Sequence, residues 1–268
     1  MPHLQYPLDV GQSDLERMTL LGSIYMPYNT AFILNNGLTE GMDVADIGCG
    51  PGIMSLWFSE QVGSSGKVVA IDNSDDQLNI LRDQINKKHI SNVITKNIDI
   101  FDLSNQINQQ FDIIYCRFLM IHLQDPFKAI AHLQKFLKPQ GCLIISELDN
   151  STWECFPENE YLQKDIHLLI QTGKLRGSDY EIGKKLYSYF RKQNFRDIKV
   201  EVLQPVLENA QRKYLLSKNK AWGKRYLAHN LITEFELNTI YQNLEKLTQD
   251  QDTLLLGAKM FQVSGRNS

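Results

Sequence analysis

The 268-residue chain has few cysteines, and Cys49, Cys116, Cys142 and Cys155 form no C-x-x-C pair and no cysteine–histidine spacing of the zinc-binding kind. That speaks against a structural zinc site and a disulfide framework. The thiols read as packing residues of core strands, with a nucleophilic or metal-binding cysteine as the alternative. Charge of one sign is also missing. Twenty-eight Lys and Arg face 31 Asp and Glu, giving a formal net charge of -3 and a pI near 6.1. No electrostatic feature calls for a nucleic acid or an anionic membrane as the main partner. No apolar run reaches the roughly 18 residues of a transmembrane segment. The opening Met1-Pro2-His3-Leu4-Gln5-Tyr6 lacks the basic and apolar regions of a secretory signal, so a cytoplasmic location is expected. Internal repeats and low-complexity tracts are absent.

What is present is the mixture of an ordinary globular protein, 43% hydrophobic and 22% charged, in a length suited to one large core. Residues 14–38 are helical in pattern, with Leu15, Met18, Leu21 and Tyr25 at intervals of three and four. Pro27 is predicted to break this helix, and a second one over 29–36 to end at Gly37. Short β-branched runs at 43–47, 67–71, 90–97 and 111–115 then alternate with helical stretches at 53–61, 74–88 and 126–137. A fifth strand at 141–147 follows the turn Lys138-Pro139-Gln140-Gly141. This alternation predicts a doubly wound, mostly parallel α/β sheet. Beyond Asn150 it lapses into an aromatic stretch, a helix near 160–171 and a loop with Gly173 and Gly177. A helix at 183–193 and strands at 198–206 and 254–265 resume the sheet, and a helical insertion occupies about 209–249.

The most specific string is Val44-Ala45-Asp46-Ile47-Gly48-Cys49-Gly50-Pro51-Gly52. A strand, a glycine turn and a helix start let backbone approach a ligand closely, with free N–H donors facing it. The nicotinamide fingerprint wants a third small residue where Ile53 stands, which weakens a dinucleotide reading. Asp46, at the end of its strand, is placed to receive a charged amine or a bound water. Asp72 closes the next strand, 22 positions after Gly50. A carboxylate there accepts from both ribose hydroxyls of an adenosine, or it caps the helix that begins near Ser74. Asp99 ends the third strand and is placed to accept from an adenine amino group, with the Ile100 backbone beside it.

In that order and spacing, the strings VADIGCGPG, VVAIDNS, FDIIYCRFLMIHLQDP and LKPQGCLIISE resemble the class I S-adenosylmethionine-dependent methyltransferases. The likeness is to the small-molecule enzymes of ubiquinone and menaquinone biosynthesis, and it covers about residues 16–147. Gln140 departs from it by replacing the glycine usual in the L-K-P-G-G turn. The resemblance implies a Rossmann-like sheet, S-adenosylmethionine as cofactor and a small, partly apolar methyl acceptor. It also implies that Gly48, Cys49 and Gly50 line the methionine part, Asp72 and Asn73 the ribose, and Asp99 and Ile100 the adenine. Cys116 and Arg117 would lie beside the methionine moiety and reactive methyl. The organisation expected is one domain over 1–268: cap helices at 1–40, a cofactor-binding core at 41–150, a lid at 151–182, and the rest of the sheet at 183–268.

A sulfonium is already a good leaving group, so such an enzyme chiefly positions its nucleophile and needs no metal. His122, just after the fourth strand, is the candidate general base, or else a helix-packing imidazole. Arg117 is read as steering an acidic acceptor, holding the cofactor carboxylate, or forming a structural ion pair. Arg17 and Tyr25 are second-tier contacts. A nicotinamide oxidoreductase and a non-catalytic cofactor-binding module remain the rival readings at this point.

Overall fold

The computed structural model describes residues 15–267; Asp14 and the opening hexapeptide fall outside them. Strands β1 (Asp43–Ile47), β2 (Lys67–Asp72), β3 (Val93–Asn97), β4 (Phe111–Arg117) and β5 (Leu137–Asp149) lie parallel in the order β3-β2-β1-β4-β5. Their crossovers carry α2 (Ile53–Val62), α3 (Asp75–Lys88) and α4 (Pro126–Gln134). β9 (Lys259–Arg266) then pairs antiparallel with β5, and β7 (Arg196–Leu203) pairs antiparallel with β9. The product is a mostly parallel, seven-stranded Rossmann-like sheet. Strand order reverses between β1 and β4, and ligands of such sheets bind outside the strand carboxyl ends at that reversal.

The near-continuous apolar strings follow from burial on both faces. Alternate side chains point to opposite sides of a strand. Ala45, Ile47, Val69, Ile71, Ile114 and Ile145 therefore enter one core layer, while Val44, Val68, Ala70, Ile113, Tyr115 and Ile144 enter the other. Caps fix where the helices start: Ser74 Oγ accepts from the Gln77 N–H at the head of α3, and Asp125 accepts from the Lys128 N–H ahead of Pro126 in α4.

Several expectations are corrected. Pro27 does not break its helix, because α1 (Leu15–Asn35) runs through it. Leu21, Ile24 and Tyr25 before the proline, and Asn29, Phe32 and Ile33 after it, are all buried. Packing on both sides outweighs the one backbone hydrogen bond that proline removes. β3 begins three residues later than its apolar run, because His89 ends α3 in a left-handed conformation and Asn92 is held by the carbonyls of Ser59 and Gly63. The Lys138–Gly141 turn is absorbed into β5, with Gln140 at φ +63°.

The stretch 254–265 divides into β8 (Leu254–Leu256) and β9, and β8 pairs instead with β6 (Glu154–Phe156). The break falls where the Gly257 N–H donates to the Pro205 carbonyl and the Tyr25 hydroxyl donates to the Ala258 carbonyl. The helix expected at 183–193 is a 3₁₀ turn followed by α6 (Leu186–Lys192). The two insertions supply α5 (Glu160–Leu175), α7 (Tyr214–Ala228) and α8 (Glu234–Gln249), which pack on one another, and α7 also meets α1. Among the described residues, no helix is long and apolar enough to cross a membrane.

Candidate active site

Backbone geometry builds the floor of the site. After β1 the Gly48 and Cys49 N–H groups both donate to the Ile71 carbonyl, at 2.8 and 3.0 Å. The Gly50 N–H donates to Asp72 Oδ2 at 2.8 Å. Gly48, Gly50 and Gly52 take φ of +70°, +54° and +82°, a region that costs other residues about 1–2 kcal/mol. A Cβ on Gly52 would stand 2.3 Å from Leu81, whereas one on Gly50 meets nothing nearer than Met18 at 3.9 Å. Gly52 is thus needed for packing, and Gly50 faces open space. That space is a cavity of about 680 Å³ at the carboxyl ends of the strands, within the usual range for small-molecule sites of about 300–1,000 Å³.

Three carboxylates stand along this floor. Asp46 is buried and accepts from Ser55 Oγ at 2.6 Å; burial pushes its carboxyl up to about 6, against the opposing pull of Arg117. Asp72 accepts the Gly50 N–H on one oxygen and the Ser74 N–H (2.9 Å) on the other, and burial raises its carboxyl above the ordinary range. Ser74, not Asp72, caps α3. The backbone N–H groups of Gly50, Ser74 and Asn73 all bond to this carboxylate, and a carboxylate's roughly four acceptor sites leave room for a ligand hydroxyl. Asp99 accepts the Phe101 N–H at 2.9 Å and so orients the 3₁₀ turn beginning at Ile100.

Asp46, Gly48, Cys49, Gly50, Asp72, Asn73, Asp99, Ile100, Arg117 and His122 all line this one cavity. Cys116 does not. In the β4 alternation it points into the apolar core, fully buried beside residues such as Ile47 and Ile145. Burial raises all four thiols above their ordinary range, so each stays protonated and packs. Arg117 Nη1 contacts the neutral Asn29 Oδ1 at 3.5 Å and is stacked near the Phe118 ring, rather than forming the ion pair that was one alternative. Tyr25 is spent on Ala258, but Arg17 and Met18 of α1 reach the cavity.

The wall after β4 is strained and clamped. Phe118 sits at φ +55°, and the next turn is held by a residue that sequence reasoning assigned no role. Glu147, fully buried near the end of β5, accepts the Met120 N–H at 2.5 Å, with further backbone hydrogen bonds from Leu119 and Ile121. Burial lifts its carboxyl to about 8 despite those bonds. The sole sequence signal was an acid closing an apolar strand. The clamped turn carries Leu119, Ile121 and His122 into the cavity. Burial, with the nearby Arg17 and Arg176 guanidiniums, lowers the His122 imidazole to about 3. It is neutral at pH 7 and a weak base there, which favours the packing role over proton abstraction.

Side chains from the insertions make the roof. His122 meets Tyr180 edge to face, and Tyr180 meets Trp222 at 5.1 Å. Tyr214 and Lys218 of α7 complete this aromatic side. Tyr214, Lys218 and Trp222 stand in no local motif, and sequence reasoning gave none of the four roof residues a role. Among the described residues, no group of three or more His, Cys, Asp or Glu is arranged to hold a metal ion.

Residues 38–211 match the family model described as a methyltransferase domain. The chain is 30% identical over 169 residues to a ubiquinone/menaquinone biosynthesis C-methyltransferase of Marinomonas sp. (strain MWYL1), covering 62% of this chain and 66% of that one. It therefore spans just under two thirds of that relative's length. Its fold resembles the YcgJ protein of Bacillus subtilis, with a TM-score of 0.56 at 17% identity over 89% of this chain and 97% of that one. It also resembles Haemonchus contortus phosphoethanolamine N-methyltransferase 2 in complex with S-adenosyl-L-methionine, with a TM-score of 0.57 at 16% identity over 90% and 53%.

Proposed function

We propose that this chain, which belongs to the methyltransferase domain family, transfers the methyl group of S-adenosylmethionine to a small, partly apolar acceptor. The observation that carries the reading is the Gly50–Asp72 pairing at the sheet's order reversal, open to the cavity and presenting a carboxylate with spare acceptor capacity. Asp72 and Asn73 hold the ribose, Asp99 and Ile100 the adenine, and Gly48, Cys49 and Gly50 the methionine part. Asp46 draws the cationic amine, and Arg117 holds the carboxylate of that part. When bound, S-adenosylmethionine would supply an electrophilic methyl carbon on a cationic sulfur that leaves as a neutral thioether.

What this chain's residues contribute is alignment and exclusion of water. Gly50 admits the ligand where a side chain would obstruct it. Residues 151–182 and the insertion at 209–249 serve as the lid over the acceptor. The C-methyltransferase named among the relatives and the N-methyltransferase among the structures differ in acceptor atom, so the acceptor is sought experimentally. Protein incubated with a metabolite extract and S-adenosylmethionine carrying a labelled methyl should yield a labelled small molecule, with or without chelator. S-adenosylhomocysteine should raise the melting temperature, since a ligand selective for the folded state stabilises it, and NAD should not. A melting shift with NAD and none with S-adenosylhomocysteine would sink the cofactor reading; saturable binding without any transfer would leave a binding module.

A further inference from the structure

We propose that the roof half of the cavity is a site for an aromatic carboxylate, with Lys218 receiving the acid group; this rests on the methyltransferase reading, in which that compound is the methyl acceptor. Tyr214, Lys218 and Trp222 are spaced i, i+4 and i+8 on α7 and all line the cavity. Four residues at 1.5 Å rise separate neighbours by roughly 6 Å, so α7 presents ring, ammonium and ring as one stripe. Tyr180 closes against Trp222 from the facing loop.

Lys218 is only 2% exposed, and its ammonium lies 5.3 Å from the Trp153 ring centroid. Behind it Asp165, 0% exposed and not part of the cavity wall, pairs with Lys218 and also accepts from Asn219 Nδ2 (2.7 Å) and the Tyr226 hydroxyl (3.3 Å). A buried ion pair is a poor device for stability alone, because the desolvation of both charges offsets their attraction. Lys218 nonetheless lines the cavity, and of the three donors of its ammonium Asp165 engages one.

The lining carboxylates Asp46, Asp72, Asp99 and Asp125 come from the loops at the strand ends, which also carry the basic Arg117 and Lys128, whereas Lys218, the charged lining residue supplied by the insertions, is basic and has no lining carboxylate beside it on α7. Of the carboxyl and phenol oxygens that an aryl acceptor offers, the carboxylate is anionic at neutral pH and the phenol, ionising near 10, is not. Rings on either side of the cation take an aryl face, and the ammonium takes the acid.

The test uses the full chain saturated with S-adenosylhomocysteine, with 2-naphthoate, 2-naphthamide and 2-naphthol titrated calorimetrically. Naphthoate should bind roughly tenfold or more tightly than either neutral probe. Lys218→Met should bring the three within about twofold, and so should Lys218→Met/Asp165→Asn, which avoids leaving a buried charge unpaired. Equal binding of the three probes by the unmodified protein overturns the proposal, as does a preference for naphthol or one that survives in either folded variant. So does failure of every probe to bind while S-adenosylhomocysteine still binds. Failure of S-adenosylhomocysteine itself to bind would instead bring down the underlying methyltransferase reading.

Discussion

On the floor of the cavity, from Gly48 to Asp99, positions are set by backbone: three left-handed glycines, strand-end carbonyls and N–H groups held by Asp72 and Asp99. On the roof they are set by side chains that meet across long stretches of chain, as Lys218 meets Asp165 and Trp222 meets Tyr180. The floor thereby fixes one ligand shape within narrow limits. The roof is instead a stripe of rings around one ammonium, set by side-chain packing.

The sharpest way to break this contrast is at Gly52. An alanine there adds left-handed strain to a 2.3 Å clash with Leu81. Gly52→Ala should destabilise the fold by about 2–5 kcal/mol, read as a lowered melting temperature. An unchanged melting point would mean that the floor is softer than its geometry.

Next in size is Asp72→Ala. Loss of two charge-assisted hydrogen bonds should weaken S-adenosylhomocysteine binding by on the order of tenfold to a thousandfold in calorimetric titration. His122→Ala, a change at the roof's edge, should leave that affinity nearly unaltered. Near-native affinity in folded Asp72→Ala would remove the ribose assignment.

Glu147 joins the two regions, and its effect is a pH dependence. Folded, it keeps its proton up to about pH 8, whereas an unfolded glutamate releases it near 4.5. Between those values the native state holds more protons, so stability falls as pH rises, by at most about 1.4 kcal/mol per unit. Asp46 adds the same sign between 3.8 and about 6. Glu147→Gln, which mimics the protonated form, should flatten the denaturant-measured stability profile between pH 6 and 8. A profile as steep as the unmodified protein's would show that Glu147 ionises freely.

The smallest effect lies at the opposite end of the sheet. Gln140 is held at φ +63°, where glycine is unstrained. Gln140→Gly should stabilise by a few tenths to about 1 kcal/mol, because the relief of strain is partly offset by the greater freedom of an unfolded glycine. Chemical denaturation would detect it, and cofactor affinity should not move.

Much of the floor was legible because its determinants are local. The boundaries of β1 and the start of β4 follow from apolar runs buried on both faces, and Asp46, Asp72 and Asp99 fall at strand ends by counting. Cys116 was misplaced because strand alternation turns it into the core beside Arg117, which faces the cavity. Pro27 misled because its local penalty is smaller than the burial of Phe32 and Ile33 beyond it. The roof was illegible for a different reason. Residues 165 and 218 carry no mutual signal in sequence, and the division of 254–265 depends on Tyr25 reaching Ala258 from the other end of the chain.

The insertion of β9 between β5 and β7 has a consequence in time. On a ribosome, β7 emerges about 60 residues ahead of the strand that is its partner in the sheet. Until β9 arrives, β7 has no place beside β5, and its exposed Val200 and Val202 belong to a strand with two open edges. Contacts between residues so far apart in sequence form slowly, and unpaired edges invite aggregation in the interval. Synthesis therefore passes through a window in which the α7 and α8 insertion is already complete while the sheet is not, and the yield of active protein should depend on how quickly that window closes.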